Sequence, residues 1–451
     1  MGGAAARSEI ESGRAAARAL LHGARVGFGG VRLPDLPGAW TAFDEEVRRV
    51  HSRAYPRPPG DRLATRLCDP DGRVREAALR DPKAPLPLVA IRCADWVPAV
   101  RDLARQVLAG ALAADPGRTL TGLVPLVLRL GRREQGGWAL ELFDTALRAD
   151  EPVLAPWARP ARPARWGRPA RPPLTLTGEV PDTVMAWLRR SGDLPVRRYA
   201  ARLTLDSGLF GVRELARRAA AESDPLTSRL WAEAAMTAMA ADGPDDEAID
   251  TLLGGHVPMV RACGVTALRR AGRAAEAARH LTDRSALVRA CARWAVKQAG
   301  GDPYAHCREL VEDPARVFPY AVTGFSECAG RADAPLLRAL LDHPAGAVRA
   351  AALAGLRRVE GPVDVERLLP LLDDPSASVA REASLCLLPA AVRLDASPLE
   401  ARLGADRPAH TRRAVFRLLR ARGGAAALRA SRALAGDPDP ALRALALRPG
   451  G

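Results

Sequence analysis

The stretch "VRAAALAGL", Val348 to Leu356, places apolar residues at Val348, Ala352 and Leu356. A spacing of four keeps all three on one face of an α-helix. The signature at its start is an apolar residue, an arginine, two free positions, then a small or apolar residue. It recurs as "VREAA" at Val74, "VRDLA" at Val100, "VRRYA" at Val196, "SRLWA" at Ser228, "VRACG" at Val260 and "VRACA" at Val288. Further copies are "VFPYA" at Val317, "VAREA" at Val379, "TRRAV" at Thr411 and "LRALA" at Leu442. From Val196 onward the steps are 32, 32, 28, 29, 31, 31, 32 and 31 residues, a period of about 31. The step from Val100 to Val196 is 96, three times 32, so two units in that gap are degenerate or interrupted.

Ahead of each signature runs a shorter apolar-periodic segment such as "APLLRALLD", then a turn holding Asp, Pro or Gly, so each unit reads as a helical hairpin. In "DP" at Asp69, Asp224, Asp313, Asp374 and Asp437, the carboxylate is expected to cap the following helix with Pro at its first position. The acidic "PDDEA", Pro244 to Ala248, reads as a helix first turn favoured by the macrodipole. A single hairpin cannot bury its own apolar face, so the expected fold is all-α, an α-solenoid of stacked helical hairpins. Composition agrees: aromatic residues make up only 4% of the 451-residue chain, and alanine, leucine and arginine dominate.

These residues resemble HEAT repeats, particularly the short bacterial kind also found in phycobilin lyases. The resemblance runs from about Leu63 and is clearest from Pro181 to Leu447. It implies a hydrogen-bonded ladder in which a turn Asp meets the arginine of the second helix. Asp69 with Arg75, Asp95 with Arg101, Asp283 with Arg289, Asp406 with Arg412 and Asp437 with Arg443 keep the spacing of six. Those arginines are therefore expected to be structural, and the ladder to break where Phe318 and Ala380 replace the arginine. The resulting organisation is an N-terminal helical cap over 1–62, HEAT-like repeats over 63–149 that degenerate toward their end, an Arg/Pro-rich insertion or linker over 150–180, and regular repeats over 181–447.

The net charge of +15 suits polyanions in general, but only Lys83 and Lys297 are lysines, so the charge follows an arginine-rich composition. If the core positions define the buried side of each second helix, positions two, six and nine after the apolar residue point away from it. That column holds Arg198, Arg202, Arg269, Lys297, Arg357, Arg413, Arg417 and Arg420, a candidate polyanion-binding ridge. From Arg402 to Arg432 there are nine arginines and one acid, Asp406. Trp294 falls on the same column, Trp231 at a side position and Trp187 in a first helix. "WTAFD", Trp40 with Asp44 one turn on, echoes HEAT-like DNA glycosylases, although it precedes the clear repeats and reads as part of a helical cap.

"RPARPARWGRPARPP", Arg159 to Pro173, puts an arginine at every third position, the period of a polyproline II edge. Trp166 stands where an AT-hook would need its first arginine. The stretch lies in the interrupted pair of repeats and reads as a semi-rigid insertion.

Seven cysteines without a CxxC pair argue against a disulfide framework and fit a reducing cytosol. Cys263 and Cys291 occupy equivalent positions in adjacent units and His306 adjoins Cys307, yet no set has zinc-like spacing, so no metal or cofactor is expected. No Walker A loop, GxSxG, HExxH or Rossmann fingerprint occurs, which favours a non-enzymatic role. No apolar run approaches bilayer length, and a cytoplasmic location without membrane contact is expected. The expected function is a scaffold or adaptor for a protein partner that the sequence does not name. The alternative is a nucleic-acid-binding protein using the second-helix ridge, with a link to DNA repair.

Overall fold

The computed structural model describes residues 2–24, 36–53, 62–148, 182–313, 317–359 and 364–447. Among these residues every regular element is helical, so the chain is all-α. The Arg/Pro-rich stretch from Arg159 to Pro173 lies outside the described residues. The chain divides into two compact units, Met1–Gly211 and Val212–Gly451.

In the second unit, helices come in hairpin pairs. Asp246–Leu253 packs on Pro258–Arg270, Pro303–Glu312 on Pro319–Ser326, and Gly424–Ala435 on Pro440–Ala446. The second helices also pack on one another in chain order: Pro258–Arg270 on Ala286–Gln298, and Pro319–Ser326, Gly346–Val359, Ala377–Leu387 and Ala409–Arg422 in succession. The repeated apolar positions Val260, Leu268, Val288, Val348, Val379 and Leu442 are buried between these layers. Gly264 and Gly324 mark two close approaches. A Cβ on Gly264 would stand 2.9 Å from the Leu253 backbone nitrogen, and one on Gly324 2.4 Å from the Leu281 carbonyl oxygen.

The first unit pairs Gly2–Leu21 with Pro37–Arg53 and continues through Gly72–Leu79, Leu86–Arg92, Pro98–Ala114 and Pro116–Leu130. Phe43, Leu67, Leu88, Leu108, Leu120 and Phe143 belong to its shared core.

The turns differ from expectation in an instructive way. Asp224 caps its helix as expected, accepting from the Thr227 amide at 3.0 Å with Pro225 in first position. Asp245 caps the helix of the acidic run, accepting from the Ala248 amide. Asp69, Asp374 and Asp437 do not cap: each lies two residues ahead of the true cap and accepts the amide of Asp71, Ser376 or Asp439 at 2.7–2.8 Å. This is an Asx turn, a local bond that competes with capping. Asp313 closes a helix instead of opening one.

The ladder exists with different partners. Arg101, Arg289 and Arg443 each reach six residues back, but to the backbone oxygen of Asp95, Asp283 or Asp437, and Arg75 likewise to that of Asp69. Four of the ladder arginines grip the carboxylate of the turn that follows. Arg75 binds Asp95 through two bonds of 2.9 and 2.7 Å, Arg261 binds Asp283, Arg349 binds Asp374 and Arg412 binds Asp437. At Asp95, Asp283 and Asp437 the carboxylate is already committed to the arginine of the preceding unit, which leaves only the carbonyl. Asp406 faces solvent, because Ala380 supplies no arginine to hold it.

At Phe318 the difference is one of phase. Val317 and Phe318 precede the helix, since a residue before Pro319 is driven to extended backbone, and Ala321 takes the buried position. Arg289 then finds Glu327, 38 residues on, in place of a turn aspartate.

Both members of the Arg75–Asp95 pair are fully buried, and removing Arg75 leaves the buried Asp95 only the longer Arg92 bond of 3.2 Å and the Arg48 contact of 3.8 Å. Arg75→Ala is expected to lower the unfolding free energy by about 3–5 kcal/mol. Arg80→Ala removes only an exposed pair with Glu76 and should change it by less than about 1 kcal/mol. Urea denaturation followed by circular dichroism measures both.

Candidate functional site: the second-helix ridge

Three of the eight ridge residues meet in one place. Arg413, Arg417 and Arg420 line a groove of about 440 Å³ between Ala409–Arg422 and Pro440–Ala446, floored by Phe416, Ala441 and Leu445. Positions four and seven along a helix return to the same face, which is why these side chains converge. None projects freely. Arg413 pairs with Asp439 at 3.2 Å, Arg417 donates to the Ser384 hydroxyl, and the Arg420 guanidinium stands 5.8 Å from the Phe416 ring centre. Burial first, then Arg381 and Arg413, lowers the Arg417 pKa, while Glu382 opposes the shift.

The other members are spread along the chain. Arg198 is half-buried and Arg202 exposed in the first unit. In the second unit, Arg269 lies over the Trp294 ring at 5.2 Å, and Lys297 is exposed one turn beyond Trp294. Arg357 donates to Glu382 at 3.1 Å. The column is not uniformly exposed, since Ala262 and Ala350, both at its second position, are buried where neighbouring second helices pack.

The dense basic run from Arg402 to Arg432 is largely used internally. Arg402 pairs with Asp373, Arg412 with Asp437 and Arg429 with Glu400, and Arg422 donates to the Val392 and Leu394 carbonyls. Its counter-charges come from other parts of the chain, so counting acids within the run misses them. Glu382 is the clearest case: buried, it accepts from both Arg357 and Arg381 and faces Arg417.

The Trp40–Asp44 echo resolves into a buried ion cluster. Asp44 is bound by Arg92 at 2.5 Å and by Arg48 at 3.1 Å, and Arg92 also reaches Asp95. Asp44 is thus a counter-ion, not an acid facing a groove. Trp96, 64% exposed, covers the cluster with the Arg48 and Arg75 guanidinium groups each 4.5 Å from its ring centre. The Trp96 face opens on a groove of about 400 Å³ that Glu45, Arg49 and Ser52 also line. Trp231 is buried and Trp187 exposed on its helix.

Among the described residues no three His, Cys, Asp or Glu side chains cluster as metal ligands. No helix among them is long and apolar enough to cross a membrane.

If Glu382 is the shared counter-charge, Glu382→Ala leaves three arginines facing one another. It is expected to cost about 1–3 kcal/mol of stability in a thermal or urea melt. Asp342→Ala, at an exposed carboxylate 3.5 Å from Arg367, should stay within about 1 kcal/mol of the parent.

Compared with known proteins, the chain matches no family model and no curated protein sequence.

Proposed function

We propose that the chain is an α-solenoid of the HEAT type, with a repeat of about 31 residues, that serves as a scaffold or adaptor for a protein partner. The chain-order packing of second helices supports the solenoid reading, as does the arginine that ties a helix to the following turn. The observation that carries the protein reading is where large apolar side chains face water. Leu226 and Leu287 lie at the starts of their helices and are 53% and 42% exposed; Phe318 and Tyr320 flank the start of theirs at 39% and 46%. Aromatic and aliphatic side chains at such sites offer binding area at low entropic cost. The ridge arginines, by contrast, are mostly engaged within the chain, which leaves less free charge for phosphates than the net +15 implies. The seven cysteines favour a reducing cytoplasm as its setting.

A second reading, nucleic-acid binding with a link to DNA repair, has one observation in its favour. Arg269, Trp294 and Lys297 set an exposed ring among cations, the arrangement that stacks a base and neutralises its phosphate.

Two measurements separate the readings. Cross-linking capture from the source cells should recover a protein whose yield falls at least about tenfold with the double variant Leu226→Asp, Leu287→Asp. Fluorescence anisotropy with duplex DNA, single-stranded DNA and RNA should give no binding at low salt. Salt-sensitive binding that Trp294→Ala and Lys297→Ala abolish, with capture unaffected by the leucine changes, would overturn the scaffold reading in favour of the second.

A further inference from the structure

The groove between Ala409–Arg422 and Pro440–Ala446 holds a charge that the chain itself does not neutralise. Arg417 is half-buried in its wall and donates to a neutral group, the Ser384 hydroxyl. Ser384 is fully buried and gives its own proton to the Arg381 carbonyl at 2.7 Å, so toward Arg417 it only accepts. It fixes the guanidinium at the groove without cancelling its charge. Among the described residues no carboxylate stands within ion-pair distance of Arg417.

The two carboxylates nearby are already shared. Asp439 pairs with Arg413 at 3.2 Å and caps its helix by accepting the Ala441 amide at 2.9 Å. Glu382 accepts from both Arg357 and Arg381. A guanidinium drawn partly out of water beside Arg381 and Arg413 is destabilised, and its lowered pKa reflects that cost. A carboxylate brought from outside relieves it, and the remaining N–H groups of the planar fork suit such a ligand.

The rest of the groove sets a second requirement. Its volume of about 440 Å³ lies in the range of ligand sites, about 300–1,000 Å³, and its floor of Phe416, Ala441 and Leu445 is apolar. An apolar side chain beside the carboxylate covers that floor. A run of phosphates meets the same floor and the Asp439 carboxylate, so the chemistry favours an acidic peptide over a nucleic-acid backbone.

We propose that this groove binds an acidic segment of a protein partner, with a glutamate or aspartate carboxylate on Arg417 and a neighbouring apolar side chain against Ala441 and Leu445. The proposal rests on the scaffold reading and adds a chemically defined contact apart from the exposed leucines.

The test is fluorescence anisotropy with the full chain and a fluorescein-labelled hexapeptide that alternates glutamate with leucine. The peptide should bind, and its counterpart with glutamine for glutamate should bind at least about tenfold more weakly. Arg417→Met keeps the stem and removes the charge; it should weaken the glutamate peptide at least about tenfold, with unchanged circular dichroism. Ala441→Glu gives the groove a carboxylate of its own, at an exposed position in a helix first turn that favours an acid, and should weaken the peptide as much. This second variant decides the matter if the first does not fold. Arg229→Met, at an exposed arginine paired with Glu233, should bind like the parent. No binding of the glutamate peptide, equal binding of the glutamine peptide, or full binding by the folded groove variants overturns the proposal. Duplex DNA that binds more tightly than the peptide, and loses that affinity with Arg417→Met, overturns it too. Partner capture through Leu226 and Leu287 does not use the groove. Capture that persists without peptide binding therefore sinks the groove proposal alone, and peptide binding without capture counts against the leucine contacts alone.

Discussion

The interaction on which the rest depends is a guanidinium held between two turns. One nitrogen of Arg75, Arg261, Arg349 or Arg412 closes the turn before its own helix by binding backbone oxygens. The other two grip the carboxylate of the turn that follows. That carboxylate also accepts an amide two residues on, so its own turn is shaped by the same atoms. One side chain thereby sets local turn geometry and the register between successive hairpins. Arginine suits this role because its planar fork serves two directions at once, which a lysine ammonium cannot reproduce. Burial alone would raise the pKa of Asp283 and Asp437, yet the hydrogen bonds from Arg261 and Arg412 hold both below the ordinary carboxylate value.

This changes the meaning of the basic composition. Much of the arginine in the second unit closes turns, joins hairpins or neutralises buried carboxylates. Arg273 alone gathers Asp246, Asp250 and Glu276. The basic run from Arg402 to Arg432 is also rich in such internal bonds, so local charge density is a poor guide to ligand binding here. What remains outward is mixed: exposed apolar side chains at helix starts, and the Arg269–Trp294–Lys297 group.

The helical class was legible from spacing alone, because Val348, Ala352 and Leu356 repeat a pattern that packing must honour. The turn chemistry was half legible. The spacing of six identified the right residues in four of five pairs, failing at Asp406, but the carboxylate and carbonyl of one Asp serve different arginines, and sequence distance does not say which. Phase failed at Val317, where Pro319 fixed the helix start and moved the buried position to Ala321. In the candidate site, the i, i+4 and i+7 spacing of Arg413, Arg417 and Arg420 correctly placed them on one face, whereas their partners Asp439 and Ser384 lie 26 and 33 residues away.

The central claim is that Arg75, Arg261, Arg349 and Arg412 each couple energetically to the aspartate of the next turn. A double-mutant cycle on Arg412 and Asp437, using Arg412→Ala, Asp437→Ala and the double variant in urea denaturation, measures that coupling directly. The account predicts a coupling of about 1–3 kcal/mol, with the double variant more stable than the sum of the single losses implies. Additivity within about 0.5 kcal/mol would contradict it.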